Sequence, residues 1–178
     1  MLFANAQLFF RWNLFIMNAS NQISYTTIAL WSWLFPITYL IHFAEEYWGG
    51  EGYSAYLLRL RGVHLSPARF LTFQLLGFTL VVAGVLIAQQ LKFPEFMLVV
   101  LGALVLSNGI THTMTAVLHG GYGPGLFSSV LLWIPLGVVT LLGMFGQMSN
   151  SRLLIGMATG FAINGIVALL ALRGGRLV

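Results

Sequence analysis

The sequence holds no aspartate, no cysteine and a single lysine, and only 7% of its 178 residues are charged. A soluble domain carries roughly 25% charged residues, so this inventory cannot solvate a globular surface. Without cysteine, disulfides, thiolate metal sites and cysteine nucleophiles are excluded. The acids are Glu45, Glu46, Glu51 and Glu95, so half of them stand in one dipeptide. The net charge of +4 sits on residues flanking apolar runs rather than in a basic block. That distribution speaks for the lipid bilayer as partner and against nucleic acid.

What is there is apolar: 58% of the chain is hydrophobic. A membrane-spanning helix needs about 20 mostly apolar residues. Five segments qualify: Tyr25–Tyr47, Pro67–Leu91, Pro94–His119, Leu126–Gln147 and Arg152–Leu172. Ser66 before Pro67 is a helix N-cap followed by proline in the first turn. Pro94 with Glu95 opens the third span, with the acid at the positive end of the helix dipole. Asn150 or Ser151 can cap the fifth span. Pro36 and Pro135 lie inside spans, where membrane helices tolerate kinks. The expected fold class is all-α, a polytopic membrane bundle of about five transmembrane helices, with residues 23–178 as one domain. Residues 1–22 are apolar and aromatic but carry Arg11 in their middle, which fits an interfacial or disordered lead-in better than a signal peptide. Met17 offers an alternative start, leaving residues 1–16 untranslated.

Orientation follows from lysine and arginine. One side carries Arg11, Lys92 and Arg152, and the other carries Arg59, Arg61, Arg69, Arg173 and Arg176. The positive-inside rule then places the N-terminus outside and the first loop on the cytoplasmic side.

The few polar residues within the spans gather at that cytoplasmic end. His42, Glu45 and Glu46 close the first span at i, i+3, i+4 spacing. Asn108, His112, Thr115 and His119 form a stripe at the end of the third. At 1.5 Å per residue, His42 and His112 lie roughly 8 to 10 Å inside the boundary. Gln74 reaches a matching depth on the second span, and Ser128 and Ser129 open the fourth. Two or three histidines with a carboxylate suit Zn²⁺ or Fe²⁺ with a position left for water. The expected ligands are His42, Glu45 and His112, with His119 a further candidate. Glu46 is the expected base, Asn108 orients, and Tyr122 in the glycine-dense loop Gly120–Gly125 closes the site. The plain alternative is that Asn108, Gln74 and the threonines only join helices, and that His119 and Tyr122 merely occupy the interfacial zone. Adjacent glutamates make poor glue, because like charges side by side repel unless a cation or proton is shared. Gly156, Gly160 and Asn164 form a small-residue stripe that reads as packing.

Three motifs, His42-Phe43-Ala44-Glu45-Glu46, Asn108-Gly109-Ile110-Thr111-His112 and Tyr122-Gly123-Pro124-Gly125, follow one another in order. With them the chain resembles the HXXEE family of small polytopic membrane proteins. The resemblance implies an enzyme but supplies no substrate, and His119 and the first 22 residues fall outside it. Paired glutamates with His/Asn motifs also resemble the CAAX-type membrane proteases, but those have an arginine three residues after the pair, where this chain has Gly49.

The leading expectation is a metal-assisted, hydrolase-like membrane enzyme acting on a lipidic or otherwise apolar small molecule. A metal-independent Glu/His acid–base enzyme, such as an isomerase or glutamate-type protease, is the alternative. A proton-coupled transporter and an accessory subunit of a membrane complex are the other classes. A homo-oligomer is compatible with all of them.

Overall fold

A computed structural model describes residues 25–173. The lead-in expected over residues 1–22 lies outside them. Among the described residues the fold is all-α and multi-pass, with five helical spans long and apolar enough to cross a membrane. The first span comprises α1 (Tyr25–Ser32) and α2 (Leu34–Trp48). A short helix, α3 (Tyr53–Arg61), follows, then α4 (Pro67–Gln90) and α5 (Pro94–His119). The fourth span begins as α6 (Leu126–Ser128), passes through a π-helical turn (Ser129–Trp133) and continues as α7 (Ile134–Met144). The last is α8 (Asn150–Arg173).

The breaks have local causes. Pro36 has no N–H for the carbonyl of Ser32, so the first span interrupts at Trp33. Gln89 of α4 fills part of the gap, donating to the Ala29 carbonyl at 3.2 Å and to Ser32 Oγ at 2.9 Å. Ser66 caps α4 through the Arg69 amide. The cap of α8 is Ser149 rather than Asn150 or Ser151: its Oγ accepts from the Arg152 amide and its carbonyl from Leu153. The helix α3 went unread in the sequence because it is short and sits between Gly52 and Gly62, both with positive φ.

The central helix is α5, which packs against α8 on one face and α7 on another. Lipid chains are as apolar as leucine, so close packing rather than the hydrophobic effect holds such helices together. Small residues provide the approach. A Cβ on Gly156 would lie 2.7 Å from Val99 Cγ1, and one on Gly137 2.7 Å from the Gly102 carbonyl. Gly160 abuts the Val100 carbonyl. Trp31 Nε1 donates to Thr140 Oγ1 at 2.8 Å and ties α1 to α7. Outward-facing Leu75, Leu76 and Leu80 of α4 and Leu154, Ile155, Ile166 and Leu169 of α8 are exposed, a surface that requires lipid. A second, smaller core of Leu57, Val63, Leu65 and Phe70 pins α3 and the first loop under the end of α2.

Candidate functional site

Successive residues on an α-helix diverge by about 100°, and that decides the roles of the two glutamates. His42 and Glu46 lie one turn apart and face the bundle, 2% and 5% exposed. Glu45 is rotated toward the start of the fourth span.

Glu46 Oε1 lies 3.6 Å from His42 Nε2 and 3.3 Å from His112 Nε2. Its other oxygen accepts a hydrogen bond from Gln74 Nε2, and Tyr39 donates to Gln74 Oε1 at 2.9 Å. The His42 and His112 rings meet edge to face, 4.9 Å between centroids. Trp133 stacks on His42 at 3.7 Å. The ligand atoms of His42, Glu46 and His112 all lie within 4.8 Å of one another, so this group could hold a metal ion. Around a tetrahedral metal with bonds of about 2.0–2.1 Å, neighbouring donors stand about 3.3 Å apart.

Glu45 is occupied elsewhere. Its Oε1 accepts from the Phe127 amide at 2.8 Å and from the Tyr122 hydroxyl at 3.1 Å. Its Oε2 accepts from the Ser128 amide at 2.7 Å and from Ser128 Oγ. Ser128 Oγ also stands 2.8 Å from His42 Nδ1. The serine has one hydroxyl proton. Given to Glu45, it leaves Ser128 Oγ to accept from His42 Nδ1–H. That tautomer turns the bare Nε2 lone pair of His42 toward Glu46 and His112. A carboxylate acting through an intermediary on a histidine is how outer groups orient a metal-binding ring. The π-helical turn begins at Ser129, and π-bulges within helices cluster at functional sites.

Gly125 closes the histidine pair. Its φ is +89°, and a Cβ there would lie 2.8 Å from Cε1 of both His42 and His112. Among the described residues, four buried side-chain polar atoms have no hydrogen-bond partner: His42 Nε2, Asn108 Oδ1, Ser129 Oγ and Trp133 Nε1. Buried polar atoms are nearly always paired. Asn108 is one turn before His112 on α5, Trp133 covers His42, and Ser129 adjoins Ser128. The unsatisfied capacity therefore belongs to residues at or beside the cluster, as expected where a polar ligand or metal binds.

The three motifs supply His42, Glu45, Glu46, Asn108, His112, Tyr122 and Gly125, and residues 33–140 match the family described as "Protein of unknown function with HXXEE motif". The chain belongs to the HXXEE family. No curated protein and no solved structure matches it. The family match contains every residue of the cluster and ends within α7, before α8.

Beside the HXXEE cluster a cavity of about 130 Å³ is lined by His112, Thr115, Tyr53, Leu60, Arg61 and Leu172, among others. The Tyr53 ring lies 6.1 Å from that of His112. Burial, with the nearby Glu46 charge adding to it, raises the Tyr53 pKa well above the ordinary tyrosine value, so its hydroxyl keeps its proton. A larger cavity of about 280 Å³ lies between α1, α5 and α7, lined by Ile28, Trp31, Leu98, Thr140 and Met144. None of its lining residues belongs to the three motifs.

The geometry differs from the expected ligand set in two places. Glu45 does not join the histidines, because its oxygens hold the start of the fourth span, and Glu46 takes that position. His119 is the last residue of α5 and is exposed, about 10 Å further along the helix than His112. Tyr122 meets Glu45 rather than the cluster. Ser128 was visible in the sequence only as a polar residue at a suitable depth. Gly125 was visible in the sequence only as part of the glycine-dense loop expected to close the site, and Tyr53 and Trp133 had no sequence signal that tied them to the histidines.

Proposed function

We propose that this chain is a membrane-embedded, metal-assisted enzyme of the hydrolase type, acting on a lipidic or apolar small molecule. The observation that carries the reading is the convergence of His42 Nε2, His112 Nε2 and one Glu46 oxygen, with donor separations of 3.3 and 3.6 Å to that oxygen. Two histidines and one carboxylate form the ligand set of catalytic zinc sites and of non-haem Fe(II) sites, both of which keep an open position. A bound Zn²⁺ would supply Lewis acidity and a water that ionises near neutral pH. His42, Glu46 and His112 are the ligands in this reading, Tyr53 in the cavity beside His112 contacts the substrate, and Asn108, one turn before His112, keeps an orienting role. Glu45 and Ser128 orient His42. The arginines of the first loop and Arg173 favour the cytoplasmic side for the motif-bearing end.

Metal analysis of protein purified without chelators tests it. About one Zn or Fe per chain is expected, lost in His112→Ala and Glu46→Gln and retained at saturating metal in Glu45→Gln. Absence of metal in the unmodified protein, with metal resupplied, would overturn the reading. It would favour a proton shared between Glu46 and the two histidines, as in acid–base enzymes.

A further inference from the structure

The cavity beside His112 has two features that bear on what enters it. At about 130 Å³ it is smaller than the roughly 300–1,000 Å³ that encloses a whole drug-sized ligand. An occupant of drug or lipid size therefore places only one end inside and leaves the remainder outside. Its rim is mixed. Arg61 and Leu172 are exposed and Leu60 is half-buried, while Leu169 and Leu170 continue the apolar surface outward along α8. Arg59 is bound to Glu51, but Arg61 makes no ion pair among the described residues. The carboxylate of the cluster does not confront an entering anion, because His42, His112 and Gln74 surround its oxygens.

We propose that this cleft takes the anionic head of a single-chain amphiphile, a carboxylate or phosphate on one alkyl chain. The head lies between Arg61 and His112, and the chain lies against Leu60 and Leu172 and along α8 in the bilayer. Arg61 is thereby a specificity residue that selects an acid over a neutral amphiphile of the same length. A guanidinium suits this role because its planar fork matches carboxylate and phosphate oxygens in pairs. The inference deepens the reading of the cluster as an active centre and rests on it for any chemistry, whereas the binding is measured without turnover.

The test uses a long-chain fatty acid bearing a photoreactive diazirine, with the matching alcohol as control, on the full chain in lipid nanodiscs. Crosslinks are mapped by mass spectrometry. Fatty-acid label is expected on the peptides carrying Leu60, Thr115 and Leu172. Arg61→Gln should lower it about tenfold, the loss of one charge-assisted hydrogen bond, and leave alcohol labelling unchanged. Leu60→Trp should fill the cleft and lower both. Dodecyl phosphate should compete far better than inorganic phosphate. Label spread over α4 and α8 and insensitive to both variants would overturn the proposal. So would equal labelling by acid and alcohol, or equal competition by inorganic phosphate. Metal content is measured in the same samples. Specific labelling of protein that stays metal-free when metal is resupplied sinks the metal reading and leaves the cleft standing, while bound metal without specific labelling does the reverse.

Discussion

Gly125 is held by two constraints at once, a φ of +89° and contact with both histidine rings. A residue with a Cβ pays the left-handed penalty and must also displace His42 or His112. Gly125→Ala is therefore expected to lower stability by about 1–3 kcal/mol and to reduce metal occupancy, read by thermal unfolding and metal analysis of one preparation. Ser128→Ala removes the partner of His42 Nδ1 but leaves all three atoms proposed as ligands. Metal affinity should fall by about 10–100-fold, measured by competition with a chelating dye. An unchanged affinity would remove Ser128 from the site. Tyr122 donates to Glu45, and burial together with that bond pushes its pKa up to about 12 from 10.0. A raised acid pKa means the folded state holds the proton more tightly. The contribution is present in full below pH 10 and is lost as pH rises from 10 through about 12. Tyr122→Phe should abolish that dependence in alkaline unfolding. At this scale the sequence showed which polar residues gather at one end more clearly than which atoms meet. Spacing put Glu45 and Glu46 on one broad face with His42, but only the neighbouring helices decide that one meets histidines and the other meets backbone amides.

The helices were largely readable. Ser66-Pro67 and Pro94 mark their starts by capping chemistry, and the apolar runs give their lengths. The less regular pieces were not. The break at Trp33 follows from Pro36, yet its position depends on Gln89 reaching across from α4. The π-helical turn adds one residue to a helical circuit, which no local pattern in Ser129–Trp133 announces. Helix α3 forms because Leu57 and Phe70 share a small core. Packing of α5 on α8 rests on Gly160 against the Val100 carbonyl. Gly160→Leu is expected to force these helices apart and cost about 1–3 kcal/mol, seen as a lower unfolding temperature. Gly143→Leu, where a Cβ meets nothing, should leave it nearly unchanged.

Across the whole molecule, exposed Tyr47, Trp48, Tyr122 and Phe127 lie at the end that carries the cluster. Aromatic side chains of this kind collect at membrane interfaces, which fits a site lying a short way below the headgroups. The chain has no cysteine, so single-cysteine topology mapping needs no background removal. In sealed vesicles of known orientation, an impermeant maleimide should label His64→Cys only from the cytoplasmic face and Ser151→Cys only from the opposite one. The reverse pattern would invert the proposed orientation and leave the cluster as it is.

The sequence by itself determined that this chain crosses a membrane as helices, because its composition can be satisfied only in lipid and lipid demands internally paired backbone. It also determined that His42, Glu46 and His112 share one end of the bundle, because depth follows directly from helix rise. Tertiary structure alone decided which atoms meet. That depends on helix rotation, on the start of the fourth span setting Ser128 against Glu45 and His42, and on Gly125 lying against both imidazole rings. These angles are set by packing between helices, and no single segment encodes them.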